Sequence, residues 1–94
     1  MRIAKVIGSV TLSRCHPAMA GSRLRCVLPV DDIAQIDSDD FSGSELLVTW
    51  DELGAGNGDL IALAEGPEAA QPFQPQIKCI DAYNAAILDH IDLQ

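Results

Sequence analysis

Val48-Thr49-Trp50-Asp51-Glu52-Leu53-Gly54-Ala55-Gly56-Asn57-Gly58-Asp59 is the stretch on which the fold turns. An apolar run at residues 45–50 leads into it and another at residues 60–64 leads out. Short, nearly continuous apolar runs bounded by turn residues predict strands covered on both faces. Gly54-x-Gly56-x-Gly58 punctuates them. A phosphate cradle would need G-x-G-x-x-G, or Lys-Ser/Thr after the last glycine. Neither is present, and Asp51, Glu52 and Asp59 would repel a phosphate. What remains is a tight strand-to-strand turn with positive φ angles, or a place where two backbones touch. The three carboxylates lack the ligand alternation of a Ca²⁺ loop and read as solvated turn residues rather than an acid–base pair.

On the N-terminal side, residues 2–12 predict a first strand. Ala4, Val6, Gly8, Val10 and Leu12 share one face, with Lys5, Ser9 and Thr11 on the other. Gly8 inside that strand signals a bulge, a bend or close approach by another backbone. Residues 13–22, with Pro17 and Gly21, form a connection. Residues 23–30 predict a second strand, in which Leu24, Cys26 and Leu28 alternate with Arg23, Arg25 and Val27. Residues 31–44 are acidic and turn-rich and predict an exposed excursion.

On the C-terminal side, residues 66–75 carry Pro67, Pro72 and Pro75, which predicts a stiff surface loop rather than a helix. Residues 77–80 alternate as a fifth strand. The tail supports two patterns. Tyr83, Ile87 and Ile91 suit a helix capped by Asp81, while Ile87, Ile91 and Leu93 suit a strand. A short helical turn followed by a final strand satisfies both.

Length and charge limit what such a chain does. Ninety-four residues make one domain, 1–94. Six Lys and Arg against fourteen Asp and Glu leave a net charge of −8. That balance argues against a nucleic-acid binder, which needs a basic face, and against an electrostatic membrane anchor. Aromatics are confined to Trp50, Tyr83, Phe41 and Phe73, so the core must be Leu, Ile, Val and Ala. A chain this size buries only roughly 60–70% of its unfolded surface, and small cores are often completed by disulfides, metals or oligomerisation.

Cys15, Cys26 and Cys79 are odd in number and suit reduced thiols in the cytosol, with Cys26 and Cys79 on buried faces as small hydrophobes. Neither they nor His16 and His90 have metal-ligand spacing, and adjacent Cys15 and His16 would point apart in an extended chain. No metal or cofactor is expected. Oligomerisation is left as the leading source of stability. The twice-apolar strands agree with it, since a barrel strand has only one inside face.

The order of motifs resembles a known family. Val6-Ile7-Gly8-Ser9-Val10 followed by Cys15-His16-Pro17-Ala18-Met19-Ala20-Gly21-Ser22-Arg23-Leu24 looks like the opening of the bacterial microcompartment vertex proteins. These are the shell pentamers of carboxysome and ethanolamine-utilisation compartments. Their first strand bears a glycine and is followed by a loop of the form K-H-x-x-L-x-G-x-K-L. Here Arg14-Cys15-His16 replaces Lys-His, Met19 replaces Leu, and Arg23-Leu24 matches Lys-Leu.

The centre, from Val48 to Asp59, resembles the family's V-A-x-D-x-V-G-A-G-x-G-E. The end, from Ile80-Asp81-Ala82 through Ala85-Ala86-Ile87-Leu88-Asp89, resembles its D-A-x-I-V-G-I-I-D. Residues 31–44 interrupt the likeness. Gly66-Pro67-Glu68-Ala69 departs from the usual Gly-Ser-Ser-Ala, and Ala70 stands where an Arg is common.

The resemblance implies an all-β fold: a five-stranded barrel of the oligonucleotide-binding type, with an extra hairpin and a short C-terminal helix. It implies a non-enzymatic homopentamer that caps the corners of a polyhedral shell in the bacterial cytoplasm, beside hexameric and trimeric shell proteins. Gly8, Gly21, Gly54, Gly56 and Gly58 are the residues expected to set ring geometry. The rivals are a small barrel binding a protein or small molecule, and an enzyme using Cys15 or the Asp51 and Asp59 carboxylates.

Overall fold

The computed structural model describes residues 1–30 and 45–92. The acidic excursion expected at 31–44 lies outside the described residues. Five strands form a closed barrel: β1 (Arg2–Val10), β2 (Leu24–Pro29), β3 (Leu47–Trp50), β4 (Leu60–Glu65) and β5 (Ala82–Ile87). Their order around the barrel is β1-β2-β3-β5-β4. Closure removes exposed sheet edges, which suits a small all-β chain. The expected all-β barrel is therefore present.

Four of the five contacts around the barrel are antiparallel ladders: β1 with β2, β1 with β4, β2 with β3, and β4 with β5. The fifth, between β3 and β5, is parallel and rests on one register pair, Trp50 with Tyr83. That pair is the seam of the barrel.

Gly8 does mark a bulge. In β1 the register runs from Val6 opposite Val27 to Gly8 opposite Cys26, leaving Ile7 as the extra residue. The extra residue reverses the facing of everything after it. Ala4 and Val6 stay in the core, but Gly8 does not share their face as simple alternation predicts. It pairs with Cys26, which is opposite the exposed Val48.

The fifth strand differs from expectation. Residues 77–80 are outside any strand, and Ile77 is 85% exposed. The strand is Ala82–Ile87, beginning directly after Asp81, and no helix follows it as far as Asp92. Alternation alone favoured Ile77, but pairing decides. Only Ala82–Ile87 lies against β4 along its length while meeting β3. The proline-rich segment also differs, being a 3-10 stretch over Gly66–Phe73. Pro67 sits in its first turn, where a missing N–H costs nothing. A second 3-10 turn is Pro17–Met19.

The core consists of Ala4, Val6, Val27, Ala55, Ile61, Leu63 and Ala82, with Leu47 packed against it. Among the described residues it holds no aromatic ring. Trp50 is buried all the same, on the outer side, where Phe73 of the 3-10 stretch meets it edge-on at 4.9 Å and Tyr83 at 5.5 Å. Lys78 lies 5.2 Å above the Trp50 ring. The outer face of β3 is thus half covered by the chain itself, while Leu46 and Val48 stay exposed.

Candidate functional site

The turn between β3 and β4 does not join neighbours in the barrel, because β5 lies between them. The chain must cross an end of the barrel. Gly58 and Asp59 reach β1 in doing so: Gly58 N donates to Val6 O and Val6 N donates to Asp59 O. Two backbones touch there, as one of the two expectations for the glycines had it. Gly54 (φ 82°) and Gly58 (φ 91°) have positive φ, as does Gly21 (φ 78°). These angles strain any L side chain. Gly56 has no positive φ, and a Cβ there would meet only Asp59 Oδ2 at 3.8 Å. A Cβ at Gly8 would make an ordinary contact with Cys26 at 3.9 Å.

Asp51 corrects the expectation of solvated turn carboxylates. It is fully buried. Its Oδ1 accepts from Leu53 N at 3.0 Å, Gly54 N at 3.2 Å and Asn84 Nδ2 at 2.9 Å. Its Oδ2 accepts from Ala55 N at 2.8 Å and Arg25 Nε at 3.2 Å. One carboxylate thereby ties together β2, β5 and the first half of the glycine turn.

A buried charge is tolerated only when paired and hydrogen-bonded, and this one is both. Burial pushes the Asp51 carboxyl upward. Donation from Asn84, Leu53, Ala55 and Arg25 outweighs it and holds the group below its usual range. With both oxygens engaged, Asp51 has no lone pair in position to serve as a base. Asp59 holds Gly56 N at 2.8 Å through Oδ2, closing the second half of the turn. Asp59 is half-buried, and Glu52 is exposed as expected, with Tyr83 Oη donating to it at 3.4 Å. Burial, then the charge and hydrogen bond of Glu52, raises the Tyr83 hydroxyl above its usual value.

The thiols also differ in part from expectation. Cys79 is exposed and Cys26 only half-buried. His16 has a local task that no spacing in the chain announces: its Nδ1 accepts from Ala18 N at 3.0 Å and caps the Pro17–Met19 turn. Among the described residues, no group of three or more His, Cys, Asp or Glu could hold a metal ion. The five glycines do not form one site. Gly54, Gly56 and Gly58 share a turn, Gly8 sits at the bulge of β1, and Gly21 precedes β2.

Comparison with known proteins places this geometry. Residues 1–89 match the family model described as ethanolamine utilisation protein EutN/carboxysome. The bacterial microcompartment shell vertex protein PduN of Salmonella typhimurium is 32% identical over 89 residues, covering 95% of this chain and 96% of that protein. The solved ethanolamine utilization protein EutN superposes with a TM-score of 0.80 at 25% identity, over 99% of this chain and 91% of that one. The GrpN pentameric microcompartment shell protein of Rhodospirillum rubrum gives 0.75 at 24% identity, with both chains covered in full. The family match over residues 1–89 and the superposition on EutN agree, and the chain belongs to the EutN/carboxysome family of microcompartment proteins.

Proposed function

We propose that this chain is a structural shell protein that assembles as a homopentamer and caps the corners of a polyhedral bacterial microcompartment in the cytoplasm. The observation that carries this is the likeness to the vertex protein PduN along 96% of that protein's length. The molecular surface supports it. Leu46, Val48, Leu53 and Ile87 are 41–58% exposed on a chain of 94 residues. Apolar groups on the outside of a closed barrel are what a neighbouring copy would cover. A heterologous contact repeated around a closed rotation makes a ring, and a ring of five supplies the corner that flat hexagonal tiling lacks.

The function is assembly, not catalysis. The carboxylates that would be candidates for acid–base work are occupied in holding the turn. Hexameric and trimeric shell proteins are the partners such a corner would meet, with no nucleic acid or membrane involved. Gly8, Gly21, Gly54, Gly56 and Gly58 would shape the surfaces of the ring. The domain is the whole chain, 1–94.

Mass in solution tests the proposal. Native mass spectrometry on reduced protein should give about 50 kDa, five copies of a 10.0 kDa chain. A stable species of one or two copies would overturn it and favour a small binding barrel.

A further inference from the structure

Arg23 is exposed, and its side chain makes no hydrogen bond or ion pair among the described residues. Arg2 by contrast pairs with Glu65, Arg25 pairs with Asp51, and Lys78 lies over the Trp50 ring. Arg23 lines a groove of about 410 Å³ where the end of β1 meets the start of β2. Ser9, Thr11, Cys15, Ser22 and Arg25 line it too, and no Asp or Glu among the described residues does. On a chain of net charge −8, this groove brings together arginines and hydroxyls with no carboxylate in its wall.

The bulge in β1 builds that arrangement. With Ile7 as the extra residue, Ser9 falls opposite Arg25. Unbulged pairing onward from Val6 and Val27 would bring Gly8, which has no side chain, opposite Arg25 instead. Bulges re-aim side chains in this way. Residues directly opposite in an antiparallel pair project to one face, so the Ser9 hydroxyl and the Arg25 guanidinium share a side. The next step outward in the same register brings Thr11 level with Arg23, and both line the groove.

The charges do not cancel. Asp51 accepts from Arg25 Nε at 3.2 Å, and no other hydrogen bond engages that guanidinium among the described residues. Asp51 thus offsets one of the two positive charges, and Arg23 keeps the other. A guanidinium presents parallel N–H donors that match two oxygens of a carboxylate or a phosphate. Hydroxyls can donate to the oxygens that remain. The volume of the groove is of the order found for small-molecule sites.

We propose that this groove binds a small oxyanion, a phosphate or carboxylate group, with Arg23 as the fork and the hydroxyls of Ser9, Thr11 and Ser22 as supporting donors. This site goes beyond the shell role and does not depend on the number of copies in the ring. Calorimetry on the native assembled protein tests it, with inorganic phosphate and acetate titrated separately at fixed ionic strength in chloride. Saturable binding of at least one is expected, and the better ligand names the group. Arg23→Gln should weaken it at least about tenfold, the loss of a hydrogen bond to a charge. Arg23→Lys keeps the charge without the fork and should recover part of the affinity. Circular dichroism melts on both variants check that the fold is intact.

Cys15 supplies a second readout from within the groove. Iodoacetate and iodoacetamide alkylate a thiol by the same displacement of iodide, but only the first carries a carboxylate. Peptide mass mapping gives the ratio of the two rates at each cysteine. Arg23→Gln should lower the iodoacetate-to-iodoacetamide ratio at Cys15 and leave it unchanged at Cys79, which is exposed and lies outside the groove. Absence of saturable binding for both anions overturns the proposal. So does a folded Arg23→Gln variant that binds as tightly as the parent and keeps the parent's ratio at Cys15.

Discussion

Asn84 donates from Nδ2 to Asp51 Oδ1 at 2.9 Å across the one seam of the barrel that has a single register pair. The parallel β3–β5 contact is too short to hold by its ladder. Asp51 follows the last residue of β3, and Asn84 lies inside β5. Their side chains continue the pairing where the backbone stops. The same carboxylate holds Arg25 of β2 and three N–H groups of the turn, so closing the barrel and shaping the glycine loop are one event.

Replacing Asp51 should therefore cost more than a turn residue normally does. Asp51→Ala leaves Arg25, Asn84 and three backbone donors without their acceptor. Removing one partner of a buried pair costs about 3–5 kcal/mol. For a domain of this size each kcal/mol moves Tm by roughly 4–8 °C. Asn84→Ala, which removes one hydrogen bond to a charge, should cost about 1.5–3 kcal/mol. Thermal melts at one fixed protein concentration measure both, and equal Tm values for Asp51→Ala and the parent would refute the hub.

Acid should act through the same group. The Asp51 carboxyl is held below its usual value of 3.8 in the folded chain. Its stabilisation is complete above that unfolded value and is lost as pH falls from there through the lower folded pKa. Urea melts between pH 6 and about pH 2 should show a stability loss in that acid window that is smaller in Asp51→Asn. Parallel curves for parent and variant would place the acid sensitivity in other carboxylates.

The glycines of the turn should separate by backbone angle. Gly54→Ala and Gly58→Ala force a Cβ into the left-handed region, at about 1–2 kcal/mol each. Gly56→Ala should be nearly neutral for folding, because its φ is ordinary and its Cβ would have room. Gly56→Val then isolates assembly: a folded variant of reduced native mass places Gly56 in the ring contact, and an intact ring removes it.

Trp50 offers an optical readout of the 3-10 stretch. Phe73 bridges Trp50 and Tyr83 edge-on, and such pairs contribute about 0.5–1.5 kcal/mol each beyond burial. Phe73→Ala should lower Tm and shift the emission of the only tryptophan to longer wavelength. Unchanged emission would mean that another group shields Trp50.

The chain's local features were legible residue by residue. Residues 24–29, 47–50 and 60–65 pair as strands where apolar runs predict them, and Gly8 marks a real bulge. Positive φ at Gly54 and Gly58 follows from glycine's lack of a Cβ, a property that needs no distant partner. The resemblance in the order of motifs also led to the family, whose model matches residues 1–89. β5 is less legible. Ala82-Tyr83-Asn84-Ala85-Ala86-Ile87 is poor in β-formers, and Ile77 looked better placed.

By itself the sequence determined where the chain turns, the positions of the first four strands, and that its few large side chains leave a thin aliphatic core. Those properties reside in windows of a few residues, where φ preference and alternation act. Tertiary structure alone decided that Ala82–Ile87 is the fifth strand and that Asp51 is a buried hub rather than a solvated carboxylate. Arg25 and Asn84 stand 26 and 33 residues from Asp51 in the chain, and no local pattern announces that they will meet. A carboxylate's burial is set by which donors the closed barrel brings to it, and that is known only once the barrel has closed.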